Sequence, residues 1–453
     1  MYGQGAGPGG FNRQCDVDQN HSSMNSLPLR LIAAVAAYAV VVCAWASDVS
    51  LSGFGTVGYT RSNKPITYDR FIDNDGTLRR DSIAGIQLDA SITNQFGATF
   101  QVKAAPSSDD DDKYDATIAW AFLSYRPAND WLIRAGRQRM PLYLHSANFD
   151  VGVTYDLARL PTEMYSISPN NEIDGLSFSR NWAVRAGDLT LDGFWGKTNA
   201  DVRIWRRDNV PAIQSAGATF RKLSVDGGGF SLSLKTTDDT YRMAYGSVMV
   251  GERDRSSIPA SFPLVVTPFP GVSYFQVDNA LPGPGVPTVD RIRISSFIVG
   301  ADIHLGSGFR AIGEYARTVV SQTDLSTQSK RGYLSLLRRV NQWTPYVTYA
   351  YLRSDSQPLR LNQSLNNSQV PNFVPGSALI NALQRIGADQ VLAFDQSSIA
   401  IGSSYSISAT SKLKAELMRV YIGQVSSLVD APPGANIRNQ SINVISLSYS
   451  MVF

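Results

Sequence analysis

From Val49 onward the sequence is a succession of segments of about 9 to 12 residues in which apolar and polar side chains alternate. The breaks between them come in two sizes that take turns. Short breaks fall at "TNQ" (93–95), "PAN" (127–129), "WAVRAG" (182–187), "TDD" (237–239), "GSG" (306–308), "NQW" (341–343) and "SAT" (408–410). Long polar breaks occupy 61–79, 106–115, 138–172, 199–228, 251–293, 320–329, 354–394 and 422–439. A period of two is the signature of strands, since successive side chains of a strand point to opposite faces. Strict alternation of long and short links in an antiparallel meander means that one end of the structure is elaborated and the other trimmed.

The parse yields about 16 strands, the even number that up-and-down transmembrane barrels use. It holds if "SAGATFRKLSV" (215–225) is the upper part of a long strand or a loop hairpin. An 18-strand parse is the alternative. A soluble sandwich built from this many strands would need two or more domains and a linker, and no linker is visible. Closure into a barrel pairs every backbone group and leaves no edge, which a lipid environment demands.

Side-chain sorting agrees. Leu51, Val57 and Tyr59 share a face with Gly53 and Gly55, and Leu413, Ala415, Leu417 and Tyr421 share another. Ile118, Trp120 and Phe122 are read as a third such apolar face. The opposite faces carry Ser50, Ser52 and Thr56, then Thr117, then Lys412, Lys414 and Glu416. Charges there would be ruinous in a sandwich core and ordinary in a watery lumen. Aromatic residues at strand ends (Tyr59, Tyr125, Trp131, Trp195, Trp343, Tyr421) fit interfacial girdles. The fold class is therefore all-β, a transmembrane antiparallel up-and-down barrel.

The N-terminal region reads as a targeting segment. Residues 1–23 look like an upstream start-site extension. Residues 24–46 run from Arg30 through an apolar stretch to Ala44-Trp45-Ala46, a signal-peptide pattern that puts the mature barrel domain at 47–453. Both cysteines, Cys15 and Cys43, lie in this leader, so thiol chemistry and cysteine metal sites are not expected of the mature chain. With 41 basic and 38 acidic residues, and no basic patch interleaved with aromatics, nothing suggests nucleic acid. Charged residues make up 17% of the chain, below the roughly 25% of soluble domains.

The opening "SGFGTVGYT", the segment "LIRAGRQRMPLYLHSANFDVGVTYDLARLPTEMY" and the ending "SLSYSMVF" together resemble the general porins of proteobacterial outer membranes. The resemblance implies a 16-stranded barrel, usually a homotrimer, through which small hydrophilic solutes and ions diffuse. It implies lipid and lipopolysaccharide as surroundings, and no cofactor. It further implies that the third long link, 138–172, folds inward and sets acidic groups against a basic wall. On that basis Asp150, Asp156 and Glu163, with Glu172 as a fourth candidate, are the acidic side of a constriction; Arg134, Arg137 and Arg139 are the basic side. The enterobacterial acidic-Phe-Gly-Gly signature is absent from this loop. Strand parity adds Arg242, Arg310, Lys412 and Lys414 as lumen charges, and their excess suggests mild anion preference. In this family a terminal aromatic strand is the signal read by the barrel assembly machinery, the place that Phe453 occupies.

Two other functions fit the sequence less well. An outer-membrane hydrolase needs a nucleophile and a positioned histidine, and outside the leader only His145 and His304 exist. A structural or adhesive barrel would use its long links and conduct nothing. The acidic tract "SSDDDDKYD" (107–115) and "DNDG" (73–76) lack the spaced oxygens and closing Glu of a calcium loop, so no metal site is assigned. The plainer account is polar extracellular loops that meet divalent ions near lipopolysaccharide.

Overall fold

The structure, a computed structural model, describes residues 48–453 except 168–170, 212, 326–327 and 434. The leader assigned to residues 1–46 lies outside the described residues. Sixteen antiparallel strands close a barrel. In chain order they are β1 Asp48–Ser62, β2 Ile83–Ser91, β3 Phe96–Pro106, β4 Tyr114–Tyr125, β5 Trp131–Arg139, β6 Glu172–Val184, β7 Gly187–Arg206 and β8 Gly217–Lys235. The second half comprises β9 Thr240–Glu252, β10 Arg291–Gly306, β11 Phe309–Ser321, β12 Ser329–Arg338, β13 Trp343–Ser354, β14 Phe394–Ser408, β15 Ser411–Ser426 and β16 Ser441–Val452. Each strand pairs with its sequence neighbours, and β1 closes on β16 from Phe54↔Val452 to Ser62↔Val444.

The short links hold two to five residues and gather at one end; the long links gather at the other. All but the first two of residues 215–225 belong to a single 19-residue strand, β8, which pairs along its whole length with the 20-residue β7. The expected long break 199–228 is thus mostly strand, a hairpin that rises past its neighbours. This also moves Trp195 from a strand end to mid-strand. The link after β13 carries helical turns rather than irregular chain.

The outer face is apolar. Leu51, Val57, Leu176, Leu334, Ile401 and Leu417 are each more than half exposed, a continuous apolar surface that only lipid or another chain would cover. On β15 the outward run Leu413–Tyr421 spans eight residue steps. At about 3.4 Å per residue and about 40° tilt that gives about 20 Å of height, close to the apolar band of membrane barrels. Two aromatic pairs, Phe96 stacked on Tyr125 and Trp343 tilted by 50° against Tyr405, sit at the short-link end with ring centroids 4.7 Å apart. Along β1, β7, β11 and β13 an outward aromatic is followed two positions later by a basic residue toward the other end: Tyr59/Arg61, Trp195/Lys197, Tyr315/Arg317 and Tyr351/Arg353.

One face assignment changes. The β3–β4 register shifts between Gln101 and Val102, where Ala119 is the extra residue. This bulge reverses the parity of β4. Ile118 keeps the outer face, whereas Trp120 and Phe122 pair with Gln101 and Thr99 and face the lumen.

At the closure seam the backbone groups of Gly53 and Phe453 exchange two hydrogen bonds of 3.0 Å. The Phe453 ring lies across Gly53, where any side chain would collide with it. An aromatic ring laid over a glycine on the adjacent strand restores the packing that the glycine lacks. Phe453→Ala will lower the unfolding free energy of the refolded barrel by about 0.5–1.5 kcal/mol, read as a shift in urea midpoint. An unchanged midpoint would mean that the ring contributes nothing to closure.

At the opposite end of the barrel the long links pack into a cap. Helices α2 (Ser356–Asn367) and α3 (Ser377–Gln390) follow the single turn α1 (Thr162–Tyr165). Tyr274, Leu281, Val370, Val374, Ile380 and Leu383 form an apolar cluster between links 253–290 and 355–393. The aspartate tract serves as a cross-link: Asp111 pairs with Arg70 and Arg203, Asp112 with Arg79, and Arg203 also with Asp430.

Candidate pore lining

The chain from Met140 to Asn171 joins β5 to β6, yet its partners are inward-facing side chains on strands across the barrel. The Leu144 N–H donates to Glu314 on β11 at 2.9 Å, and Arg242 on β9 donates to the Tyr143 carbonyl. The Ala158 N–H donates to the Tyr346 hydroxyl, which in turn donates to Glu416, each at 2.8 Å. Lys414 donates to the carbonyls of Gly152 and Leu157 at 2.5 and 3.0 Å and lies 4.0 Å from the Tyr155 ring centroid. Apolar side chains complete the contact. Tyr143, Leu157, Leu160, Met164 and Tyr165 are buried against Ile298, Ile312, Ala316, Tyr333 and Tyr346.

The acidic candidates divide. Asp150 accepts from Lys103 on β3 at 3.1 Å and from Arg139 at 2.5 Å, and both cations also reach Glu172 at 3.1 Å. Asp156 accepts from Lys412 at 2.7 Å and Ser404 at 3.0 Å, with Arg310 3.8 Å away. Glu163 is fully buried, bonded by Gln396 at 2.8 Å, and lies away from open space. Burial raises its carboxyl above the usual range. Burial also opposes ionisation of Asp150 and Asp156, but Lys103 and Arg139 outweigh it at the first, and Lys412 at the second, so both stay below the ordinary value.

The basic candidates divide as well. Arg134 faces inward, its guanidinium 5.4 Å from the Phe122 ring centroid. Arg137 does not join it. It is paired with Ala121, in the same parity as the exposed Leu123, and forms a two-point ion pair with Asp174 at 2.7 Å on the outer wall. Strand alternation places Arg134 inward, as found, whereas Arg137 and Arg139 are expected where strand becomes loop; β5 keeps its pleat through position 137, so Arg137 falls on the outer face. Arg242, Arg310, Lys412 and Lys414 all lie inside, engaged with residues 143–157 or with Asp302.

Sequence reasoning missed three elements. Arg159 donates to Asp81 at 2.8 Å through Nε and 2.5 Å through Nη2, and to Thr60 at 2.9 Å, tying the loop to β1 and to the first long link. Lys103 was overlooked because its partners are distant in sequence. The third element is a row of glycines in register on four adjacent strands, Gly136↔Gly175↔Gly196↔Gly227. Glycine inside a strand signals a bulge or a close approach. Gly136 and Gly227 have φ of 131° and 152°, backbone that favours glycine. Gly196 and Gly227 of this row line a cavity of about 680 Å³ together with Leu142, Tyr143 and Phe149 of the loop.

Acid should loosen this loop in two steps. Burial pushes the His145 imidazole down to about 4 among Tyr155, Tyr165, Arg310 and Arg242. Its folded value lies below its unfolded value of about 6.5, so the unfolded chain binds more protons and stability is lost as pH falls from about 6.5 through 4. Asp81 is pressed upward by burial but held at about 2 by Arg159, so its contribution, complete above about pH 4, disappears as pH falls through 2. The unfolding midpoint will fall between pH 7 and 4, and His145→Gln will flatten that segment. An equal slope in the variant would acquit His145.

A closed barrel with an apolar outer band and a charged, loop-lined interior is a transmembrane β-barrel. No protein-family model matches the sequence, and no curated protein does. Among solved structures the barrel is similar to the outer-membrane-expressed OmpT of Vibrio cholerae, at 10% identity over 90% of this chain and 99% of that one, TM-score 0.47. It is also similar to the outer-membrane channel DcaP of Acinetobacter baumannii, at 11% over 90% and 97%, TM-score 0.47. OprB of Pseudomonas putida matches at 10% over 92% and 97%, TM-score 0.46. At these identities and scores the likeness says nothing of function.

Proposed function

We propose that the chain is a porin of a Gram-negative outer membrane, a water-filled channel through which small hydrophilic solutes and ions diffuse. The observation that carries this is the space between loop residues 140–167 and the glycines Gly196 and Gly227 of the wall, bordered by Lys103, Arg139, Asp150 and Glu172. Opposed charges across a low-dielectric gap orient permeating dipoles and disfavour apolar solutes, and no bond has to be made or broken. Basic groups exceed acidic ones around the gap, which favours anions mildly. Lys103, Arg139, Asp150 and Glu172 act as the charged border of this gap, and Arg134 and Asp156 are further charges inside the barrel. Arg310, Lys412 and Lys414 hold the loop in place, and Arg242 both holds it and adds charge to the lumen.

The outward aromatic-then-basic pairs are suited to the level of lipid headgroups, with Arg61, Lys197, Arg317 and Arg353 within reach of lipopolysaccharide phosphates. Three copies assemble through the apolar outer wall, and Phe453 serves the barrel assembly machinery as its recognition residue. Liposomes containing the purified chain will swell in isotonic arabinose and far more slowly in a tetrasaccharide. No swelling in either sugar would favour the structural or adhesive alternative.

A further inference from the structure

The upper part of the β7–β8 hairpin leaves the barrel wall. Above Lys197 the strand β7 pairs with β8 alone among the described residues, and β8 acquires β9 as a second neighbour only from Leu223 downward. Residues 198–206 therefore stand in a two-stranded ribbon. At about 3.3 Å per residue this ribbon reaches about 30 Å. A ring of sixteen strands, spaced by about 4.8 Å and tilted by about 40°, is also about 30 Å across. The ribbon is long enough to cross the mouth.

Its contacts show that it does cross. A lone two-stranded ribbon is marginally stable in water, so what its upper end touches decides where it lies. Arg203 donates through its two Nη groups to Asp430 at 2.8 and 2.5 Å, and through Nε to Asp111 at 2.8 Å. The Trp205 Nε1–H donates to the Ala431 carbonyl at 2.8 Å. Asp430 and Ala431 belong to the link between β15 and β16, and β15 stands eight places from β7 in the ring of sixteen, on the opposite side. Just beyond the strand, Arg207 pairs with Asp389 of α3, and Arg385 of the same helix donates to Asp208 at 2.9 Å. The side chains of Asp430 and Asp389 are only 5% and 3% exposed, so salt screens these pairs little. Lower down the ribbon is less firmly built. Arg253 steadies it at Asp201, but Gly196 faces Gly227 where it leaves the wall, and glycines inside a strand pack no side chain. Ala200, Val202 and Arg203 line the cavity of about 680 Å³ from above.

We propose that this ribbon is a hinged strap across the outer mouth, latched to the far wall by Arg203 and Arg207, and that it sets the size limit for entering solutes. The strap deepens the channel assignment and rests on it. The gap at Lys103, Arg139, Asp150 and Glu172 sorts solutes by charge; the strap above it sorts them by bulk. Its pivot is the Gly196–Gly227 pair, where a few backbone angles absorb the swing.

The test uses residues 47–453, which contain no cysteine of their own. Ser215→Cys near the strap's end and Gln424→Cys on β15, both at exposed positions, carry nitroxide labels whose separation is read by pulsed electron paramagnetic resonance. The latch is removed in two ways. One variant is Arg203→Gln with Arg207→Gln; the other adds Asp430→Asn and Asp389→Asn, so that neither aspartate is left as a buried charge without its partner. With the latch intact the separation will be narrowly distributed, and in both variants it will lengthen and broaden. In liposomes the rate of swelling in the tetrasaccharide, relative to arabinose, will rise severalfold in the variants, while the arabinose rate changes little. A broad distribution with the latch intact, or an unchanged narrow one in the folded charge-balanced variant, would overturn the latch. A released strap with an unchanged ratio of the two sugars would overturn the size limit and move it to the loop 140–167. Release of the strap with no swelling in any sugar, latch intact or removed, would instead remove the channel, and the size limit with it, while the latched strap itself would stand.

Discussion

Arg159→Ala will destabilise the folded barrel by about 3–5 kcal/mol, because it leaves a buried carboxylate without its counter-charge. Arg159 and Asp81 have side chains about nine-tenths buried, with a shortest contact of 2.5 Å. Thr60 and Ser446 accept from the same guanidinium at 2.9 and 3.3 Å, so the arginine fastens the loop to both strands of the closure seam. The double variant Arg159→Ala, Asp81→Ala removes both charges and will recover a large part of the loss, as coupled residues do in a double-mutant cycle. Urea unfolding of the refolded chain measures all three. Additive losses would show that the pair is solvated and that the loop is held elsewhere.

The second large effect concerns ion preference. Arg134 on β5 and Arg242 on β9 face the lumen on either side of Asp192, which Ser179 and Ser231 hold at 2.5 and 3.3 Å. Charges on the wall of a narrow aqueous path act through low-dielectric surroundings, so their removal is felt by each passing ion. Arg134→Ala combined with Arg242→Ala will shift the anion-to-cation permeability ratio severalfold toward cations, read as reversal potential under a potassium chloride gradient. An unchanged potential would place the selective region elsewhere, at the Lys103, Arg139, Asp150 and Glu172 cluster.

The barrel was legible because strand period and link length are local properties. Both survive in the sequence without knowledge of what packs on what, and even the ambiguous stretch 215–225 resolved as the upper part of a long strand. Lumen chemistry was less legible. Trp120 and Phe122 were assigned outward because an unbroken alternation carries no mark of the bulge at Ala119, which is set by the partner strand. Arg137 was assigned inward because, with Arg139, it reads as the point where strand becomes loop, and only the paired register shows that the pleat continues through it. Buried positions in α3, Ile380, Leu383, Gly387 and Ala388, follow helical spacing, a signal hidden inside a stretch treated as polar loop. Arg159 and Lys103 escape a sequence reading because what gives them meaning, partners delivered from distant links, is purely tertiary.

The central claim is that an open aqueous path runs between loop residues 140–167 and the wall of Gly196 and Gly227. Single-channel recording of the purified chain in planar bilayers tests it most directly, across potassium chloride concentrations. The account predicts long-lived unitary steps whose conductance rises nearly in proportion to salt, as a water-filled path requires. Reconstituted, correctly folded protein that gives no steps at any salt concentration would contradict it.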